Sequence, residues 1–462
     1  MKCKWHWHNI YLLINSIIWL TLFILLIATA VSEKEKQATI ISGIALLLVL
    51  CIACLFIFLK IKGKLESRRF NIFSVTISII YTIFIISLFI PTKHEVLKDS
   101  VGTSEVSGIP ERLNAEKQAG GETIKRLSEN FHSDSLTLTV YDICIGKYQH
   151  KINRDGPVNP NKANITNPEI LTRKIKDDIK SLGADVVGIT YLKPQYVFEK
   201  DIEGNPIILN HKFAIVIGKG IDYRLANPTA PLPFEEYYSS LPEEIAAELS
   251  GLKFNKSRKV SKEELQEVEE SLQFFSEGGS IAVQVAKYIR DTFGYEARAH
   301  FHRWGEVLAI PLAVESGLGE CSKNSMVVND MFGPRGSFAV VTTDLPLVVD
   351  KPVDLGILEF CKVCSKCADA CPVKAIPTGD PAWINHVLKW RVDGEKCWNY
   401  IVNNPKCMAC VGSCPFNKPD YLIHRIANFM VARKSSVTNH LLVWLDNVLG
   451  YGQKSFVQKS AG

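Results

Sequence analysis

The sequence carries no nicotinamide or flavin fingerprint. Its glycine pairs, "GKG" and "GLGE", stand alone, without the strand-then-helix setting a phosphate-cradling loop needs. Outside one short segment it has no long basic run, and its net charge is only +5 over 462 residues, so nucleic acid is not an indicated partner. No repeat of solenoid type occurs. Charge is also missing from three apolar runs near the start, Ile10 to Val31, Ala38 to Leu59 and Phe70 to Ile90. None shows the polar face that a buried core helix would keep.

Each run is about 20 residues, enough to cross about 30 Å of hydrocarbon as a helix. A secretory signal has a single, shorter apolar region, so three in series read as anchors in a lipid bilayer. The second loop, "KIKGKLESRR", holds Lys60, Lys62, Lys64, Arg68 and Arg69, whereas the first, "SEKEK", balances lysine with glutamate. The positive-inside bias then sets the N-terminus and second loop in the cytoplasm, and everything after Pro91 on the outer face of the cell (inner) membrane. "SRRFNIF" (Ser67 to Phe73) loosely resembles a twin-arginine export signal, which would suit a domain exported with its cofactors inside. A basic flank of the third span explains it equally well.

After a polar tether, short β-branched runs alternate with helical stretches. "ADVVGITYL" (Ala184 to Leu192), "FAIVIG" (Phe213 to Gly218), "VLAIPLAV" and "FAVVTTDLPLV" read as strands. "SKEELQEVEESLQFF" opens on a capping box, Ser261 with Glu264, and "SIAVQVAKYIRDTFGY" reads as a further helix running into Tyr295. The soluble part is thus an α/β or α+β fold.

Cysteine is not scarce. Of the 13, eight lie between Cys361 and Cys414. Cys361, Cys364, Cys367 and Cys371 are followed by Pro372, a C-x2-C-x2-C-x3-C-P run, the ligation pattern of a [4Fe-4S] cubane in bacterial ferredoxins. In two-cluster ferredoxins the last cysteine of each run serves the other cluster. That rule assigns Cys361, Cys364, Cys367 and Cys414 to cluster one. Cluster two takes Cys371, Cys407 and Cys410, with Cys397 as its fourth ligand. Structural zinc prefers paired C-x2-C, and disulfides pair awkwardly at two-residue gaps, so both fit the run less well than iron. Cys3, Cys51, Cys54, Cys144 and Cys321 are scattered and read as small buried hydrophobes.

"GLGECSKNSMVVNDMFGPRGSFAVVTTDLPLVVDKP" (Gly317 to Pro352) leads straight into the cluster motif. With "YIRDTFGY", "EKCWNY" and "CPFNKPDYLIHR", it resembles the reductive dehalogenases, corrinoid and iron–sulfur enzymes, over roughly Leu182 to Ile426. The resemblance implies an α+β protein with a nitroreductase-like α/β core holding cobalamin, and a ferredoxin-like module with two [4Fe-4S] clusters. It implies removal of halide from a small organohalide, with electrons from a membrane donor, a quinol or a redox protein. The expected organisation is a three-helix membrane anchor over 1–92, a linker over 93–118, the corrinoid-binding core over 119–349, the two-cluster module over 350–425 and a tail over 426–462. Two alternatives stay open: an iron–sulfur electron-transfer membrane protein without corrinoid, and a corrinoid reductase of a non-halogenated substrate, similar to the epoxyqueuosine reductases.

The family's proton-donating tyrosine falls on Phe275, and the cation that follows "GPR" falls on Ser337. A phenyl ring has no proton to give, and serine cannot stabilise a phenolate as a cation does. His300 and His302 in "RAHFHRW", and Tyr288, are the nearest substitutes, because histidine titrates near neutrality. Structural roles for these histidines are the competing reading. Arg335 is expected near the corrinoid, with stabilisation of the turn after Gly333 and Pro334 as the alternative.

Overall fold

The computed structural model describes residues 7–33, 35–61, 68–91, 154–198, 206–221, 223, 277–301, 306–384, 387–394, 396–397, 400 and 407–452. The chain divides into two compact units. One comprises Met1–His94, Glu359–Cys364 and Lys418–Gly462, the other Glu95–Leu358 and Ser365–Asn417. The three apolar runs are helices α1 (Trp7–Ser32), α2 (Lys36–Ile61) and α3 (Arg68–Phe89), of 26, 26 and 22 residues. Among the described residues, no helix is long and apolar enough to cross a membrane. Cys51 and Cys54 are exposed on α2. That corrects the expectation of burial: a thiol on an apolar helix is buried only where another element covers its flank.

The second unit is built on a four-stranded antiparallel sheet in the order β1 (Val186–Tyr191), β2 (Phe213–Gly220), β6 (Gly336–Thr343), β3 (Ala297–His300). Alternation sends Ile215, Ile217, Ala339 and Val341 to one face and Ala214, Val216 and Val340 to the other, each joining a separate core. Helix α4 (Pro168–Ser181) packs on the first face. Asn167 caps it by accepting the Ile170 N–H, Pro168 sits at its start, and Leu171, Ile175 and Ile179 form its buried stripe. Burying such a side chain contributes about 1.5–3 kcal/mol. Helix α5 (277–288) covers the same face and tightens into a π turn at Ile289–Phe293.

The other face carries α6 (Ala309–Glu315), part of a segment expected to be a strand. Only Val307 pairs there, as an isolated bridge to Val197. An apolar run of that length does not distinguish a buried strand from a buried helix, and Pro311 is tolerated in a helix's first turn. The capping box at Ser261 and its helix lie outside the described residues. The hairpin β4 (Glu320–Cys321) to β5 (Val327–Val328) follows, and then the cysteine segment. That segment holds α7 (Ile357–Val363), α8 (Lys366–Ala370), a second hairpin, β7 (Ala382–Ile384) to β8 (Val387–Lys389), and α9 (Ala409–Gly412) against α8. Ser365–Asn417 clusters with the α/β core and does not stand apart as a separate body.

In the first unit, the segment expected as a tail holds two helices, α10 (Leu422–Val431) and α11 (Ser436–Val448). They grip the ends of α1 to α3. His424 and Tyr451 meet the Glu33 carboxylate at 2.6 and 2.8 Å, Ser435 donates to the Ser87 carbonyl at 2.9 Å, and Thr438 donates to the Leu88 carbonyl. Gln37 donates to the Val448 carbonyl at 3.1 Å.

Candidate functional site

The second cysteine set is gathered in space. Burial raises the Cys410 thiol far above its ordinary range, and the charges of Cys367, Cys407, Cys397 and Cys371 add to the rise. Cys397 is pushed up to about 11, first by burial and then by Cys407 and Cys371. Cys407 is raised by burial and by Cys371, against the Ala409 N–H, which favours its thiolate. Several thiols that each penalise the others' ionisation need a cationic centre among them before all can be thiolates. Ala368, Ala375 and Ile376, with Val373 and Val392, make an apolar jacket around Cys367, Cys371, Cys397 and Cys410. Ala375 N–H donates to the Cys371 sulfur at 3.3 Å, the sort of bond that tunes a cluster.

Among the described residues, no three His, Cys, Asp or Glu side chains form a single-ion site. A zinc site draws its sulfurs to about 2.3 Å from one point. A cubane instead holds its thiolates at four separate corners, so the sulfurs ring the cluster without meeting. The donor set fits that group. Cys361, Cys364, Cys367 and Cys414 are each buried as well. Beside Cys414, the Ser413 hydroxyl and the Asn417 amide nitrogen are buried donors with no hydrogen-bond partner among the described residues. Cluster sulfides accept hydrogen bonds of this kind.

The α/β core meets this module at one end of the sheet. Asn324, in the β4–β5 turn, donates to the Cys410 carbonyl at 3.3 Å. Arg335, just ahead of β6, is buried. It donates through Nε to the Ile221 carbonyl at 2.9 Å and through a terminal nitrogen to Asn417 Oδ1 at 3.4 Å. The arginine thus ties the ends of β2 and β6 to the residues after Cys414. Gly333 has φ +61, and a Cβ there would lie 2.1 Å from the Phe416 carbonyl oxygen, so glycine is required where the "GPR" turn touches the second cysteine motif.

Glu320 organises the entry to the first motif. Its buried carboxylate accepts N–H groups from Leu355 (2.9 Å), Ile357 (3.2 Å) and Leu358 (3.0 Å), at the start of α7. Burial raises its pKa, against the pull of those three donors. "GLGE" is therefore a turn that delivers a helix-capping carboxylate. Nothing local in the sequence signals this, because its partners lie 35 to 38 residues on.

The proposed proton donors are not brought together. His300 is 2 % exposed on β3, its Nε2 is 2.8 Å from the Thr342 hydroxyl, and its Nδ1 is 3.5 Å from Glu306. Burial, reinforced by Arg154 and Arg298, holds it well below the ordinary histidine range, so it is neutral near pH 7. Tyr288 lies on α5, its hydroxyl 3.0 Å from Lys174 Nζ and 3.3 Å from Asp178, both on α4. His302 and Phe275 lie outside the described residues. Ser337 pairs with Lys219 across β2 and β6, and the Lys219 ammonium turns to the Gly183 carbonyl at 2.9 Å.

An antiparallel α/β core joined at one sheet end to the cysteine-bearing segment Ser365–Asn417 is the class of architecture seen here. Residues 360–418 match the 4Fe-4S dicluster domain family. The tetrachloroethene reductive dehalogenase of Sulfurospirillum multivorans is 28% identical over 299 residues, 63% of this chain and 58% of that one. Its namesake in Desulfitobacterium hafniense is 37% identical over 167 residues, 33% of this chain and 29% of that one. Among solved structures, the catabolic reductive dehalogenase NpRdhA in complex with 3-bromo-4-hydroxybenzoic acid superposes with TM-score 0.55 at 27% identity, covering 68% of this chain and 42% of that one. A reductive dehalogenase whose structure suggests a mechanism for B12-dependent dehalogenation does so with TM-score 0.55 at 28% identity, covering 67% and 40%. Over the matched parts the chain is thus similar to reductive dehalogenases in both sequence and fold. It spans less than two thirds of the length of each of these relatives.

Proposed function

We propose that this protein is a corrinoid-dependent reductive dehalogenase that removes halide from a small organohalide, with two [4Fe-4S] clusters as its electron path. The observation that carries the reading is the gathering of Cys371, Cys397, Cys407 and Cys410 at the Asn324 end of the α/β core. The overall reaction consumes two electrons and one proton, replaces a carbon–halogen bond with carbon–hydrogen, and releases halide. When bound, cobalamin supplies the metal centre at which that bond is cleaved. The chain's residues do the rest. Thiolates from Cys361, Cys364, Cys367 and Cys414, and from Cys371, Cys397, Cys407 and Cys410, would hold the two clusters, whose chemistry is one-electron transfer. Arg335 and Asn417 keep the nitroreductase-like core in register with the relay, with Arg335 as the candidate contact to the corrinoid.

The test uses the full chain, purified without oxygen and supplied with cobalamin. Expected are about eight irons per chain, about one cobalt, and halide release from a panel of chlorinated and brominated compounds. Iron without cobalt would reassign the protein to electron transfer alone. Both metals without halide release would favour a reductase of a non-halogenated substrate, the second reading, which Ser337 and Phe275 at the family's cation and tyrosine positions support.

We further propose that α1 to α3 anchor the protein in the cell membrane, with the catalytic unit on the outer face and a quinol or membrane redox protein as donor. Exposed Ile17, Ile24, Leu47, Leu48, Ile80 and Ile83 support a lipid surround. The protein is expected to stay in the membrane pellet through alkaline carbonate washing. Release into the supernatant would end the anchor reading without touching the cluster assignment.

A further inference from the structure

Among the described residues, the largest fully buried side chain is a lysine. Lys323, 1 % exposed, sits in the turn between β4 and β5, and its ammonium lies 5.1 Å from the centre of the Trp390 ring. Among the described residues its ammonium makes no ion pair or hydrogen bond and lies over that ring. A buried ammonium is costly unless an anion compensates it, and the face of an indole replaces only part of its lost hydration.

The turn that carries Lys323 is held against the second cysteine set on both sides. The next residue, Asn324, donates to the Cys410 carbonyl at 3.3 Å, and Ser325 donates to the Trp390 carbonyl at 3.5 Å. Trp390 is itself fixed through its indole N–H to the Gly379 carbonyl at 2.7 Å. The missing anion is therefore sought on the cysteine side. A cubane bound by four thiolates is an anion, because the thiolates outnumber the positive charge of its core, and reduction adds one more negative charge.

We infer that Lys323 is the fixed counter-charge of the cluster held by Cys371, Cys397, Cys407 and Cys410, and that it raises this cluster's reduction potential. The inference rests on the two-cluster reading and not on dehalogenation. An ammonium beside the cluster favours the more negative, reduced state over the oxidised one. Burial keeps the interaction from being screened by water and salt. Electrons are thereby drawn toward the cluster that adjoins the α/β core. Lys323 touches no reacting atom in this account; it acts through the cluster.

The experiment is a potentiometric titration of the full-length, corrinoid-free protein, with each cluster followed by electron paramagnetic resonance. Cys397→Ala serves to tell the two signals apart. In Lys323→Met the reduction equilibrium of cluster two is expected to weaken about tenfold, which for one electron is about 59 mV toward lower potential. Cluster one stays unchanged, and Lys323→Arg restores the wild-type value. Full iron with both potentials unchanged in Lys323→Met overturns the inference. So does unchanged potential accompanied by lost cobalamin binding, which would assign the ammonium to a phosphate of the corrinoid. If Lys323→Met does not assemble its clusters, Lys323→Arg decides: full iron there shows that the charge is what matters, and iron lost in both variants overturns the proposal. Absence of clusters from the wild type would instead defeat the two-cluster reading itself.

Discussion

Replacing Cys397 with alanine is expected to halve the iron of the anaerobically purified protein, from about eight to about four per chain. Cys397 lies ten residues before Cys407, outside the compact spacing of the first motif, so sequence spacing alone argues weakly for it. The stronger argument is spatial. Its thiol feels Cys407 and Cys371, and Cys410 feels Cys367 first and then Cys407, Cys397 and Cys371, so these sulfurs lie near one another. With three thiolates left, one corner of the cube opens, and Cys397 is itself partly exposed, as are Cys407 and Cys410. Cys321→Ala is the control. It is partly exposed, not fully buried as the sequence suggested, its thiol is pushed up to about 11, first by desolvation, with Lys389 opposing and Glu320 adding to the rise, and full iron is expected there. Full iron in Cys397→Ala would remove it from the ligand set.

Glu320→Ala is expected to destabilise the catalytic unit more than any other single change outside the cysteines. Three backbone N–H groups, of Leu355, Ile357 and Leu358, would lose their acceptor inside the protein. An orphaned buried donor costs about 1–3 kcal/mol. With water filling part of the gap, the sum is on the order of 3 kcal/mol, against a total stability of about 5–15 kcal/mol for a domain. A fall in melting temperature of roughly 6–12 °C follows for a unit of this size. Glu320→Gln is expected to recover only part of it, because one amide oxygen cannot replace two carboxylate oxygens and the amide N–H groups would face backbone donors. A melting temperature within a degree or two of wild type in Glu320→Ala, from scanning calorimetry of the metal-loaded protein, would show that the α7 start is held by other means.

The cysteine motif was legible because metal ligation from one loop demands short, regular spacing. The strands at Val186–Tyr191, Phe213–Gly220 and Gly336–Thr343 were legible because a sheet covered on both faces needs continuous β-branched runs. The same logic misread 307–314, where burial on every side makes helix and strand look alike. The helices after residue 421 were missed because their binding to the ends of α1 to α3 joins residues hundreds of positions apart. Glu320, Lys323 and Asn417 carried no local pattern for the same reason: their partners are distant backbone groups, a tryptophan ring and an arginine. His300 stood out as a titratable residue, and only burial against Thr342 made it a neutral part of the sheet.

By itself, the amino-acid sequence determined the metal chemistry, the family resemblance and the three apolar helices, because each depends on residue type at short spacing. Tertiary structure decided which carboxylate starts the helix leading to the first motif, and which lysine is buried in the turn that meets the second. Those outcomes depend on distance and on exclusion of water between segments far apart in the chain. Both arise only when the sheet, the β4–β5 turn and the cysteine loops pack together.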